Sequence, residues 1–202
     1  GAAPLSPRTW RFQDLRVIGQ LKNTYILAAS PDGLILIDQH AAHERVLYEA
    51  LKAKAPEAAR QALLFPKVVE VPPAQADWVR EHLEVLAQAG LALSHFGGAS
   101  FLIAAAPAFL ASADLEAVVA EAVEALSPLK GSQAPQTVKE QALQFLACRG
   151  AIKAGEVLKE EAIQALLAQL DASPVNSHCP HGRPLWRLIP FGDIHQSFRR
   201  PK

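Results

Sequence analysis

The chain has 202 residues, 50% hydrophobic and 20% charged, enough apolar material for one sizeable core or two small ones, which excludes a disordered protein. Twenty basic residues balance twenty acidic ones, so strong autonomous binding to a polyanion is excluded and any contact with nucleic acid must be local or assisted. No apolar stretch reaches the roughly 20 residues of a membrane span, and no secretory signal opens the chain, so a soluble intracellular protein without a membrane partner is expected.

An initial Gly and the lack of any Met suggest a piece of a longer protein. Residues 1–9, with Pro4 and Pro7, read as the end of a linker. The β-rich runs 15–21 and 24–29, then Leu34 to Ile37 after the turn Ser30-Pro31-Asp32-Gly33, predict a small meander that ends at Asp38. Asp38 stands where a helix wants an N-cap, and a helix is predicted from Gln39 to about Lys54 with Val46, Leu47 and Ala50 on its packed side. A proline-bearing stretch from Ala55 to Pro73 marks a boundary; within it Lys67 to Val71 is strand-like. A helix over 74–89, strands over 91–95 and 100–105 around Gly97-Gly98, and a helix over 114–126 read as a compact α/β insertion. Residues 127–135 form a second break; helices follow from about Gln136 and over 159–170, the latter with a packing stripe at Ile163, Leu166, Leu167 and Leu170. A short strand over 185–189 and a helical turn or two over 193–200 close the chain.

Two segments carry candidate chemistry. His40 and Glu44 are four apart on the predicted helix, so imidazole and carboxylate share a face, and Asp38 reaches the same region from the strand end. Cys179 and His181 flank a proline, with Gly182 relaxing the backbone behind them, which is metal-ligand spacing in one tight loop. The chain's two cysteines, Cys148 and Cys179, do not make a disulfide framework, and metal binding competes with simple burial for each. Asp38, His40, Glu44, Cys148, Cys179 and His181 thus form a mixed donor set: the soft donors favour zinc, and the carboxylates also accept manganese or magnesium. His40-Ala41-Ala42-His43-Glu44 holds the ingredients of a zincin motif in the wrong order, and the deaminase and Walker signatures do not occur.

These residues resemble the C-terminal domain family of the endonuclease-type MutL proteins of DNA mismatch repair. The family signature D-Q-H-A, two residues, E, four residues, E is met by Asp38, Gln39, His40, Ala41, Glu44 and Glu49. Ala147-Cys148-Arg149, then Cys179-Pro180-His181-Gly182-Arg183-Pro184, then Phe198 and Arg200 follow in the family's order. Gln61, Leu64 and Pro66 fit the Q-x-x-L-x-P motif by which such domains dock on the replication sliding clamp.

The resemblance implies an α+β (mixed α/β) fold with a dimerisation and catalytic subdomain from residues 1–52 and 138–202, and an inserted external, regulatory subdomain over 53–137. It implies a homodimer and a latent nicking endonuclease for double-stranded DNA that is stimulated by manganese (Mn2+, with Mg2+ as substitute) and carries zinc (Zn2+) in its site. Asp38, His40 and Glu44 are the expected catalytic residues; with Cys148, Cys179 and His181 they are the expected metal ligands, Gln39 and Glu49 standing behind them. Arg183, and more weakly Arg149, Lys153 and Arg200, are expected near DNA phosphates. The other implied partners are the sliding clamp, the N-terminal ATPase region of the same intact protein and the mismatch-recognition machinery, in the cytoplasm at the nucleoid. The rival expectation is a non-catalytic, zinc-stapled dimerisation and clamp-docking platform; a zinc hydrolase for a small substrate is a third.

Overall fold

A computed structural model describes residues 10–53, 60–127 and 134–199. Lys54, the linker readings at 1–9 and over most of 127–135, and Arg200 lie outside the described residues. The fold is mixed α+β, and the chain divides into two compact units, residues 1–46 with 151–202 and residues 47–150.

The first unit is built on an antiparallel sheet of strands β1 (Arg16–Leu21), β2 (Tyr25–Ala29), β3 (Gly33–Asp38) and β7 (Trp186–Pro190), in the order β1-β2-β3-β7. Lys22 and Asn23 take the positive φ that a tight antiparallel turn needs. The hydroxyl of Ser30 accepts from the amides of Asp32 and Gly33 and so closes the next turn. Gly33 is required where it stands: a Cβ there would collide with the backbone of Ile189 on the paired strand.

Strand alternation sends Ile26, Ala28, Ile35, Ile37 and Trp186 to one face, where helix α5 (Glu160–Ala172) contributes the buried Ile163, Leu166, Leu167 and Leu170. Each of these large side chains stabilises the unit by about 1.5–3 kcal/mol. Trp10, Phe12 and Trp186 close the core in mutual edge-to-face contacts. The other face carries Leu21, Tyr25, Leu36 and Ile189, and the first, second and last of these are exposed. The α5 stripe, one of two apolar surfaces expected from sequence to be available for pairing subunits, is therefore consumed by packing; the β-rich segment is the one that keeps an apolar face. A short helix α6 (Phe191–Ser197) ends the described chain.

Helix α1 (Gln39–Ala53) begins in the first unit and ends in the second. In the second unit an antiparallel sheet of β4 (Arg60–Glu70), β6 (Ser100–Pro107) and β5 (Ala92–Gly97) runs in the order β4-β6-β5. It is joined by helices α2 (Pro73–Gln88), α3 (Leu115–Leu126) and α4 (Pro135–Gly150). Asp114 caps α3 by accepting from the amide of Ala117 at 3.2 Å. Helix α4 clusters with this unit, so residues 138–150, expected beside the chain ends, group with the insertion instead. On α1, Tyr48 and Leu51 are buried with Leu47 while Ala50 is exposed, contrary to the packed side expected for it.

Strand β4 departs from expectation. It starts ahead of the strand-like Lys67 to Val71 and takes in Gln61 to Pro66 of the boundary stretch, but its pairing jumps from Ala62↔Ala105 to Lys67↔Ile103, so four residues of β4 face one of β6. The excess is extruded, leaving Leu64 86% and Phe65 80% exposed.

Candidate metal centre

Strand β3 delivers Asp38 to the start of α1, and the Asp38 Oδ1 accepts from the amide of Ala41 at 3.0 Å as the expected cap. One turn on, Glu44 is completely buried. Its carboxylate faces the loop before β7, a hairpin in which Cys179 N–H donates to the Arg183 carbonyl at 2.8 Å and Gly182 N–H to the Cys179 carbonyl at 2.9 Å. Gly182 takes φ +82°, the left-handed conformation this turn needs. The loop is anchored through the buried Cys179, which packs in the core of the first unit, and through the Arg45 Nε, which donates to the His178 carbonyl at 2.8 Å.

Glu44, Cys179 and His181 each offer one donor atom, and the three atoms lie within 4.8 Å of one another. His181 Nδ1 stands 2.5 Å from Glu44 Oε1, yet that oxygen, fully buried, has no hydrogen-bond donor in proper geometry. An unsatisfied buried carboxylate oxygen is costly, and a cation among these three donors would satisfy it. Thiolate, imidazole and carboxylate at this spacing are a zinc-type donor set, so the residues fit the metal that the sequence implied.

His40 lies on the edge of this group, its Nε2 3.9 Å from Glu44 Oε2. A carbonyl can only accept, so the 2.8 Å contact between His40 Nδ1 and the Ile152 carbonyl puts a proton on Nδ1 and, in the neutral ring, leaves Nε2 as the lone-pair nitrogen. The amide of Ile152 in turn donates to His43 Nδ1 at 3.0 Å. Burial holds the His43 imidazole below its ordinary pKa, against the pull of Glu156, which suits a ring nitrogen that must accept.

Behind these rings stands Gln39, completely buried. Its Nε2 contacts the carbonyls of Asn23, Lys153 and Glu156 at 2.8, 3.1 and 3.0 Å, and its Oε1 accepts from Gln20 Nε2 at 2.6 Å. Gln20 Oε1 accepts from the amide of Leu158 at 2.9 Å. The two amides tie β1, the β1–β2 turn and the 152–158 segment to the start of α1.

The remaining expected residues are distributed as follows. Cys148 is half-buried on α4 and Glu49 half-buried on α1, both in the second unit. Arg149, expected near phosphate, pairs with Glu121 of that unit at 2.5 Å. Lys153 is exposed. Arg183 Nη2 is 3.2 Å from Glu44 Oε2. Its guanidinium is held above its ordinary pKa, against burial, by its hydrogen bond to the Cys179 sulfur first and then by Glu44 and Asp38. Gln61, Leu64 and Pro66 are all exposed on the β4 bulge. Sequence reading missed Gln20 and Ile152: an amide in a strand gives no chemical signal, and Ile152 acts through its backbone N–H and carbonyl.

A family model described as the MutL C terminal dimerisation domain matches residues 18–158, a span that includes Asp38, His40, Glu44 and Cys148 and stops short of Cys179. The chain is similar to the DNA mismatch repair protein MutL of Syntrophobacter fumaroxidans, 44% identical over 188 residues, 93% of this chain and 28% of that protein. It is similar to the MutL proteins of Geotalea uraniireducens, 39% identical over 92% of this chain and 31% of that one, and Phenylobacterium zucineum, 39% identical over 90% and 29%. The chain thus spans about three-tenths of the length of the curated relatives it matches.

Proposed function

Because this chain belongs to the MutL C-terminal dimerisation domain family of DNA mismatch repair, we propose that it is a metal-dependent endonuclease module that nicks double-stranded DNA within a MutL homodimer. The observation that carries the reading is the convergence of Glu44, Cys179 and His181 around a buried carboxylate oxygen without a donor, at the helix that opens with Asp38-Gln39-His40-Ala41. Glu44, Cys179 and His181 hold a zinc ion, and His40, its Nε2 turned toward Glu44, completes or edges the set. Asp38 keeps its second oxygen, the one not spent on the cap, for a manganese or magnesium ion beside it. Bound there, such ions lower the pKa of water toward neutrality and offset phosphate charge. Arg183, once released from Glu44, and more weakly Lys153 face the phosphate backbone; Arg149, of the same weaker rank, is paired with Glu121.

Two surfaces support the partner readings. The outer face of the first sheet, with Leu21, Tyr25 and Ile189 exposed, is the surface for a second copy. The β4 bulge presents Gln61, Leu64 and Pro66 as an extended peptide for the sliding clamp, which would hold a chain of zero net charge on DNA. A purely structural zinc is the rival, favoured by the packing of Cys179 into the core. Asp38→Asn in the full-length protein separates the two: it should abolish manganese-dependent nicking of supercoiled plasmid and leave the dimer intact. Undiminished nicking would refute the catalytic reading.

A further inference from the structure

Arg183 is an unusual neighbour for a cation site. Its guanidinium lies 3.2 Å from Glu44 Oε2 and interacts with the Cys179 sulfur and, at longer range, with Asp38, so it faces two of the three convergent donors and the acid at the head of α1. The Arg183 side chain is 58% exposed while Glu44 is fully buried. The tip of the arginine is thus engaged on the donors while the remainder of the side chain stays in solvent. Its backbone is fixed independently, by the hydrogen bond from Cys179 N–H to the Arg183 carbonyl at 2.8 Å. The guanidinium can leave without unpacking the core or opening the loop.

We propose that Arg183 is a built-in competitor of the metal: its guanidinium and a divalent cation contend for Glu44 and Cys179, so metal binding requires displacement of the arginine. The proposal rests on the metal reading above and adds to it a device that sets metal affinity. The physical basis is charge exclusion. A guanidinium neutralises a buried carboxylate that would otherwise carry a desolvation penalty, and a dication on the same atoms is repelled by any guanidinium that remains. Arg183 therefore stabilises the site when it carries no ion and weakens its hold on one.

The test compares the wild-type full chain with Arg183→Gln and Arg183→Lys after removal of metal by chelation. Zinc affinity is measured by competition with a chromophoric chelator, and melting temperature is measured with and without saturating zinc. Arg183→Gln is expected to bind zinc about tenfold more tightly or better, to melt below wild type when stripped, and to gain more from zinc than wild type does. Arg183→Lys, which keeps a charge but loses the fork, should fall between the two. Zinc binding by wild type with unchanged or weaker binding by Arg183→Gln overturns the competition and leaves the metal reading standing. No zinc binding by any of the three chains overturns both.

Discussion

The backbone of Ile152 serves two imidazoles: its carbonyl accepts from His40 Nδ1 at 2.8 Å and its amide donates to His43 Nδ1 at 3.0 Å. One backbone unit thereby fixes the orientation of His40 and aims its Nε2 at Glu44, the arrangement found behind metal-bound histidines. His40→Ala is expected to weaken zinc binding by about 10–100-fold, with a matching loss of manganese-dependent nicking. One partly buried hydrogen bond is worth about 1 kcal/mol, so the melting temperature should fall only about 2–4 °C. Chelator competition and calorimetry on the same preparation check it; unchanged zinc affinity would remove His40 from the site.

Gln39 holds the segment that carries Ile152. An amide nitrogen has two protons, so its three carbonyl contacts at 2.8–3.1 Å are shared among two donated bonds, and Gln20 supplies the donor for its oxygen. Gln39→Ala strips three part-buried carbonyls of their donor and removes a fully buried amide, and should cost about 2–4 kcal/mol, a fall in melting temperature of about 5–15 °C. Hydrogen exchange localises the effect: the amides of Ile152 and Leu158 should lose protection before those of β2 and β3. Equal loss across the sheet would contradict the hub assignment.

In the second unit Tyr48 donates a short hydrogen bond to the Glu140 carboxylate, with Lys52 Nζ 3.6 Å from its other oxygen. That bond first, and Lys52 after it, hold the Glu140 carboxyl below its ordinary pKa, while burial and the same carboxylate push the Tyr48 phenol up. A carboxyl with a depressed folded pKa adds stability above its unfolded value, near 4.5, and loses it as pH falls through the folded value. Tyr48→Phe should therefore destabilise the chain by about 1–3 kcal/mol at pH 7. The gap from wild type should close as pH drops below 4.5. Urea unfolding from pH 7 to 3 measures it; a gap independent of pH would show that Glu140 is not the partner that counts.

The regular elements were legible because their signals are local. β-rich runs announced β1 and β2 and a continuous apolar run after a turn announced β3, Asp38 and Asp114 stood at helix starts, and the Ile163 to Leu170 stripe marked a buried face. The family motifs led to Glu44, Cys179 and His181, although no spacing rule could state that residues 135 positions apart meet. What stayed hidden depends on long-range contacts: the Ile152 backbone between two histidines, and the Gln20–Gln39 side-chain pair across 19 residues. The β4 bulge was hidden for another reason, since proline in Leu64-Phe65-Pro66-Lys67 reads as loop, and pairing on both sides of it is a tertiary fact.

That bulge yields the last prediction. An 86% exposed Leu64 beside an 80% exposed Phe65 contributes little to the stability of its own chain, because neither side chain is removed from water on folding. Surface substitutions of this kind change stability within about 0.5 kcal/mol, so Leu64→Ala with Phe65→Ala should leave the melting temperature within about 2 °C of wild type. An extended apolar peptide held clear of its own sheet is, however, suited to fill a groove on a partner, and its anchors dominate such contacts. The double variant should lose binding to the replication sliding clamp, measured by surface plasmon resonance with the clamp immobilised, and any clamp stimulation of nicking. Basal manganese-dependent nicking should persist, since neither residue belongs to the unit that holds Glu44, Cys179 and His181. Retained clamp binding with the bulge truncated would move the docking site elsewhere; lost basal nicking would show that the bulge serves the fold instead.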